Sequence, residues 1–191
     1  MADLKSEARA EMEEDVRRFS VEWMGWIKTI SIALTIVLLL HAFVFHLSKV
    51  EGHSMEPTLH DHDWLYVNKF VYLIGDPKVG DVVILEDPSD SPDKKLLVKR
   101  VVGVPGDRIE IRNRVLYRNG ERVDESLYTN TDIEDLDFGP YEVPDDCYFV
   151  MGDNRHARAS RDSRSFGPVI RDRISGRVDY IVWPTGDLGS L

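Results

Sequence analysis

The sequence lacks several features that would place it in common protein classes. It contains a single cysteine, Cys147, so no intramolecular disulfide can form. Its 24 Lys and Arg residues are outnumbered by 34 Asp and Glu residues, and the net charge is −10 without any basic cluster. Because nucleic acids are bound by clustered Lys and Arg, this composition argues against a nucleic-acid partner. No internal repeat and, after about residue 48, no long amphipathic helical pattern is present.

The amino-terminal part is the most hydrophobic, and it predicts a membrane anchor. Residues 1–26 carry apolar residues at steps of three or four, which predicts an amphipathic helix. Residues 27–47 are nearly all apolar, and this stretch is about long enough to cross a bilayer. The uncharged part of this stretch, 29–47, is preceded by four cations, Arg9, Arg17, Arg18 and Lys28, and only Lys49 follows it closely. The positive-inside tendency therefore predicts a single pass with a cytoplasmic amino terminus, and residues 48–191 on the periplasmic or extracellular side.

After the anchor, short runs of β-forming residues predict a mainly β domain of coiled or barrel type. The predicted strands are 64–67, 81–85, 96–102, 108–112, 115–118, 121–123, 147–151 and 177–183. Asn119-Gly120 between two of them predicts a hairpin with a type I′ turn. Residues 124–146 are acidic and rich in turn formers, so we expect an exposed loop there. Cys147 lies in an apolar run and is interpreted as a buried side chain.

The stretch 50–59, with the sequence VEGHSMEPTL, is too irregular for a helix or a strand. Gly52 allows a close approach of the backbone, and Pro57 stiffens the chain. Ser54 therefore lies on a rigid bend just after the anchor. Two interpretations remain open from these residues: an ordinary serine turn, or an exposed nucleophile.

Lys99 and Arg100 lie side by side in the predicted strand 96–102. Because side chains alternate between the two faces of a strand, one of these cations must lie among apolar neighbours. On an edge strand both could still reach water through their long stems. A desolvated lysine instead has a lowered pKa, and its neutral amine is a general base that can activate a serine hydroxyl.

Histidines offer a weaker alternative. His60 and His62 flank Asp61, a combination that can be imagined as a metal site. No cysteine lies nearby and the spacing is not helical, so we predict no metal.

Four blocks carry a family resemblance, and they occur in the same order as in that family. They are SMEPTL at 54–59, GDVVI at 80–84, KRVVGVPGD at 99–107, and GDNR at 152–155 followed by Ser160 and DSR at 162–164. With a single amino-terminal anchor in front, the chain resembles the bacterial type I signal peptidases, or leader peptidases. These are membrane-bound serine endopeptidases with a Ser-Lys dyad, which remove signal peptides from exported preproteins.

The resemblance implies a role for each matching residue. Ser54 would be the nucleophile, with its backbone N–H as one oxyanion donor, and Lys99 the general base. Ser160 would hydrogen-bond the lysine amine and orient it, while Asp162 and Arg164 would form an ion pair that braces this turn. The implied fold is the family's β-coil, which buries the lysine.

The resemblance also implies specificity and partners. Four residues would line shallow pockets for small side chains, in keeping with cleavage after Ala-x-Ala: Met55, Leu59, Leu97 and Val98. The implied partners are the signal peptides of secretory preproteins, the lipid bilayer of the cytoplasmic membrane, and the protein translocation machinery. No cofactor is implied, because the dyad needs none.

Two positions depart from the family pattern. Gly52 stands where some members carry a serine that donates to the oxyanion, so the second donor is unassigned. The link 156–159 is longer than usual and reads HARA, so we expect a local bulge that leaves Ser160 in place. Because this link itself contains Ala-x-Ala, self-cleavage after Ala159 is a further hypothesis.

Two other classes of protein share parts of this pattern. The self-cleaving domain of SOS-response repressors uses the same Ser-Lys chemistry, but behind a DNA-binding domain rather than an anchor. A membrane-anchored β domain without enzymatic activity is the second alternative. Cleavage of a peptide in detergent separates both from a signal peptidase.

Overall fold

The structure is a computed structural model that describes residues 19, 22–38, 45–89, 95–184, 186 and 189–190. Contacts divide the chain into two units, Met1–Phe43 and Val44–Leu191. In the first unit, residues 22–38 form helix α1. Most of the predicted amphipathic segment, and residues 39–44 of the predicted anchor, lie outside the described residues. None of the described helices combines the length and hydrophobicity required to cross a bilayer.

The second unit is mainly β, as predicted. Its strands are β1 Phe45–Lys49, β2 Trp64–Asn68, β3 Val82–Glu86, β4 Leu96–Gly103, β5 Arg108–Arg112, β6 Val115–Arg118, β7 Glu121–Arg122, β8 Phe138–Glu142, β9 Cys147–Met151, β10 Val169–Ile170, β11 Ile174–Trp183 and β12 Gly189–Ser190. Two short helices, α2 Val71–Ile74 and α3 Ser163–Phe166, and a 3-10 helix, Arg171–Arg173, connect them.

The described strands form two antiparallel sheets. The larger has the order β1-β2-β11-β3-β4-β9-β10, with β12 paired to β11, and the smaller has the order β7-β6-β5-β8. Strand β4 lies between β3 and β9 in the larger sheet. Strand β3 pairs with residues 96–100 of β4, whereas β9 pairs with β4 only from Arg100 onward. The stretch 96–99 thus has β3 on one side and no described strand on the other.

Most strand predictions are confirmed within a few residues, and the hairpin is confirmed in detail. Asn119 and Gly120 have φ values of 56° and 84°, which is the left-handed conformation that a type I′ turn requires. Cys147 is a free, buried thiol.

Two strands lie where the sequence predicted something else. Strand β1 begins at Phe45, so its first three residues fall inside the stretch 27–47 predicted as the anchor. Strand β8 lies within the predicted loop 124–146 and pairs with β5. The loop prediction is confirmed for 124–137, which form turns and irregular backbone, and it is wrong for 138–142, because apolar contacts with distant residues outweigh the acidic composition. Phe138 places its ring 5.3 Å from that of Phe149, and Ile133 and Val143 are buried beside them.

Candidate active site

Ser54 lies in a compact turn between β1 and β2. The backbone N–H of Val50 donates to the carbonyl of Asp63 at 2.8 Å, which closes the base of the turn. Gly52 has a φ of 97°, a conformation that favours glycine, and its N–H donates to Asp61 Oδ1 at 2.9 Å. Met55 is buried directly after Ser54 and fixes the turn to the apolar core.

Lys99 reaches Ser54 from strand β4 of the larger sheet. Its Nζ lies 2.7 Å from Ser54 Oγ and 2.8 Å from the carbonyl oxygen of Val98. The Lys99 side chain is only 2% exposed, and this burial lowers its pKa to about 8, although the charges of Asp162 and Asp153 act in the opposite direction. Near pH 8 the Lys99 amine is therefore neutral in about half of the molecules. The neutral amine is in contact with a hydroxyl that it can deprotonate.

Arg100, the next residue, is also buried, and an ion pair compensates for the desolvation of its charge. Its Nε and Nη2 donate to the two carboxylate oxygens of Asp153 at 2.9 and 2.7 Å. Asp153, itself fully buried, also accepts a hydrogen bond from Thr58 Oγ1 at 2.6 Å. The ring of Tyr128 lies 4.3 Å from the guanidinium carbon of Arg100. Asp153 thus joins the turn that carries Ser54 to the strand that carries Lys99.

A second carboxylate, Asp162, holds the opposite side of the site. Its oxygens accept hydrogen bonds from Arg164 Nε at 2.9 Å and Nη2 at 2.8 Å, and from the backbone N–H of Gly152 at 3.2 Å. Burial alone would raise the pKa of Asp162, but the hydrogen bonds and the charge of Arg164 outweigh it, and the pKa is lowered. Arg164 also donates to Asp135 at 2.7 Å, so the Asp162 turn is fixed from two directions.

Ser160 lies close to this group without completing a hydrogen bond. Its Oγ is buried and has no partner of normal hydrogen-bond geometry among the described residues, although it is near enough to Asp162 to contribute to the lowered pKa of that carboxyl. The hydrogen bond that the resemblance implies between Ser160 and Lys99 is not formed in this structure, where Nζ donates to the Val98 carbonyl instead.

Comparisons with known proteins identify the family of this chain. The family model "Signal peptidase, peptidase S26" matches residues 23–183. This chain belongs to that family. A signal peptidase I P of Bacillus subtilis subsp. natto is 46% identical over 170 residues, which cover 84% of this chain and 89% of the relative. A signal peptidase I of Bacillus amyloliquefaciens is 38% identical over 193 residues, covering 94% of this chain and 97% of the relative.

Among solved structures, a signal peptidase I from Enterococcus faecalis is 29% identical, with a TM-score of 0.44, and covers 55% of this chain and 98% of its own. The family assignment rests on the sequence matches. This chain is therefore an enzyme, a serine peptidase of the signal peptidase I type.

The peptidase has an open cleft beside Ser54, with a volume of about 470 Å³. Its walls are residues 48–51, at the end of β1, and residues 95–99, at the start of β4. Of the predicted pocket residues, Met55, Leu97 and Val98 line this cleft. Leu59 does not line it, because this side chain is fully buried in the core cluster beside Leu65.

Sequence reasoning did not assign roles to the β1 wall or to Asp153. Residues 48 and 49 lie just after the predicted anchor, and residues 50 and 51 were considered only as part of the bend that carries Ser54. Asp153 lies in a block that matched the family, but its role depends on a partner 53 residues away. The available signal was Arg100 itself, since a buried guanidinium beside a buried lysine requires a counter-ion.

The link 156–159 forms a tight turn. The N–H of Ala159 donates to the His156 carbonyl at 3.1 Å, while the N–H groups of Ala157 and Arg158 donate to Glu134 and Asp135 at 3.2 Å each. A peptide bond held in this way does not present an extended strand to the cleft. Self-cleavage after Ala159 would therefore require local unfolding first.

Gly152 leads to the first testable prediction, because it separates Ser54 from Ser160. A Cβ atom at Gly152 would lie 2.3 Å from the Ser54 carbonyl oxygen and 2.4 Å from Ser160 Oγ. We expect Gly152→Ala to displace the nucleophile turn, to reduce peptide cleavage by about 100-fold and to destabilise the fold by about 1–3 kcal/mol. Peptide-cleavage kinetics and urea unfolding in detergent measure both effects.

The matched control is Gly75→Ala, where the added Cβ would meet only the Val71 carbonyl at an ordinary 3.5 Å. This variant should retain its activity. Wild-type kinetics in Gly152→Ala would show that the backbone at Ser54 tolerates displacement, contrary to the prediction.

Proposed function

We propose that this peptidase removes amino-terminal signal peptides from exported preproteins, with Ser54 as nucleophile and Lys99 as general base. The observation that carries the proposal is the 2.7 Å contact between Lys99 Nζ and Ser54 Oγ within a buried environment. A lysine with a pKa of about 8 is neutral often enough to accept the serine proton at physiological pH. No cofactor takes part in this mechanism.

The reaction proceeds in two halves through an acyl-enzyme. The neutral amine of Lys99 takes the proton from Ser54 Oγ as this oxygen attacks the scissile carbonyl carbon. The backbone N–H of Ser54 donates to the resulting oxyanion. The Lys99 ammonium then protonates the departing amine, the carbon–nitrogen bond breaks and the mature protein leaves. Water, deprotonated by Lys99, hydrolyses the acyl-enzyme and regenerates Ser54.

Three further residues position the base in this proposal. The Ser160 hydroxyl orients the amine of Lys99 as the proton is transferred, while the ion pair of Asp162 and Arg164 fixes the turn that carries Ser160. This assignment is supported by the burial of Ser160 Oγ and by the close packing of Gly152 between the Ser54 carbonyl and the Ser160 hydroxyl.

The lining of the cleft supports a preference for small side chains. Met55, Leu97 and Val98 form a shallow apolar surface next to Ser54, and we propose that it accepts the two alanines of an Ala-x-Ala site. Exclusion of a larger group by such a surface is worth about 1–3 kcal/mol for each misfit. An alanine at the last residue before the cut then lies beside Lys99, and the residue two positions earlier lies beside Leu97.

We also propose that the enzyme acts at the cytoplasmic membrane. The apolar stretch 27–47, preceded by cations, supports a single-pass anchor with the amino terminus in the cytoplasm and the β domain on the periplasmic or extracellular side. The bilayer and the translocation machinery are then its partners, since preproteins emerge there.

The pH dependence of cleavage tests the proposal. Because only the neutral amine is a base, kcat/KM should rise with pH and level off above about 8. From pH 6 to pH 8 the neutral fraction, and with it kcat/KM, increases about 50-fold. The measurement is cleavage of a preprotein by the full chain in detergent, and Lys99→Ala should have no measurable activity. A flat profile with retained activity in Lys99→Ala would refute Lys99 as the base.

A further inference from the structure

The cleft has a charged end away from Ser54, where Lys95 stands at the start of the β4 wall. Lys49, at the end of β1, also lines the cleft. Both lysines are exposed. Neither forms an ion pair with a carboxylate of the described residues, and Glu51 is the one acidic side chain among those that line the cleft.

The spacing along β4 relates Lys95 to a particular substrate position. An extended chain rises about 3.3 Å per residue, so Lys95 lies about 13 Å along the strand from Lys99. A substrate in extended conformation has the same rise and the same two-residue alternation of side chains. With the residue before the cut beside Lys99 and the third residue beside Leu97, the fifth residue before the cut lies beside Lys95.

The same separation keeps the charged end from disturbing the base. The charges that act on the pKa of Lys99 are those of Asp162 and Asp153, not those of Lys95 or Lys49. A change of charge at this end of the cleft therefore alters the binding of substrate without changing the basicity of the amine.

We propose that Lys95, assisted by Lys49, is a specificity-determining residue that favours an acidic side chain at the fifth position before the cut and disfavours a basic one. This inference rests on the proposed function and extends it to a charge preference.

The test uses preprotein substrates that differ only in the fifth residue before the cut, which is Asp, Asn or Lys. For the wild type at low ionic strength, kcat/KM should be about threefold to tenfold higher for Asp than for Lys, because an exposed charge pair gives a modest free energy. Lys95→Glu should reverse this order, and 0.5 M salt should weaken the preference in both enzymes, since salt screens exposed charges.

Lys78→Glu is the matched control, because Lys78 is an exposed lysine of this domain that does not line the cleft. Its Asp-to-Lys ratio should equal that of the wild type. An unchanged ratio in Lys95→Glu, or an equal change in Lys78→Glu, would overturn the inference. Failure of the wild type to cut the Asn substrate would instead count against the proposed function, so the two failures are distinguishable.

Discussion

Replacing Lys99 by methionine is expected to abolish cleavage and, at the same time, to stabilise the folded domain at neutral pH. Loss of a general base typically reduces the rate by about 10²–10⁴-fold. The methionine side chain fills a similar volume in a site where the lysine is 2% exposed, so the fold should persist. Activity on a preprotein and urea unfolding of the full chain in detergent are the two measurements.

The gain in stability follows from the lowered pKa of Lys99. Below pH 8 the amine is charged in both the folded and the unfolded chain, and the folded state bears the full penalty, about 3 kcal/mol for a pKa lowered from 10.5 to about 8. Between about pH 8 and 10.5 the folded amine is neutral while the unfolded one is charged, so the penalty disappears as the pH rises. After the loss of hydrogen bonds to Val98 and Ser54, we expect a net gain of about 1–2 kcal/mol at pH 7.

Ser54→Ala is the matched control for this experiment. It should lose cleavage as completely as Lys99→Met, but the pH dependence of its unfolding free energy between pH 7 and 10 should remain that of the wild type. The contrary result would be a Lys99→Met variant that is less stable than the wild type by the same amount at pH 7 and at pH 10. It would show that burial does not destabilise the charged form of the Lys99 amine.

Replacing Asp153 by asparagine is expected to have the largest effect on stability. The substitution removes the carboxylate that neutralises the buried Arg100, and an uncompensated buried charge destabilises a protein by about 3–5 kcal/mol. It also removes a negative charge that raises the pKa of Lys99. In whatever fraction remains folded, the rise of kcat/KM with pH should therefore shift to lower pH.

An exposed ion pair gives the comparison for Asp153→Asn. Asp76 pairs with Arg171 at 3.3 Å, but its side chain is 79% exposed. Asp76→Asn should change the unfolding free energy by less than about 1 kcal/mol and leave the pH profile of cleavage where it is. Similar urea midpoints for the two variants would show that the Arg100–Asp153 pair is not the buried support that its geometry indicates.

The strands of the catalytic domain could be predicted from sequence where local pattern and tertiary contacts agree. The alternation in 108–112 and the Asn119-Gly120 turn are local features, and both were located correctly. Strand β8 was missed because its stability depends on tertiary contacts, such as the packing of Phe138 on Phe149, an aromatic ring eleven residues later in the sequence. Strand β1 was missed because its composition continues that of the apolar stretch before it.

The residues of the candidate site also differ in how far they could be predicted from the sequence. Ser54 and Lys99 could be selected because a family motif and simple strand geometry both indicated them, and the structure places them in contact. Leu59 was assigned to the pocket from the family resemblance, but the turn directs it into the core. The partners of Arg100 could not be predicted, since Asp153 and Gly80 come from two other parts of the chain.

The position of Asp153 has a consequence for how this enzyme can evolve. One carboxylate binds Thr58, four residues after Ser54, and Arg100, one residue after Lys99. A substitution that moves either partner therefore alters the reactivity of both groups at once. A chimera that inherits the serine segment from one homologue and the lysine segment from another must match at this shared counter-ion, so the segments are exchangeable only as a set.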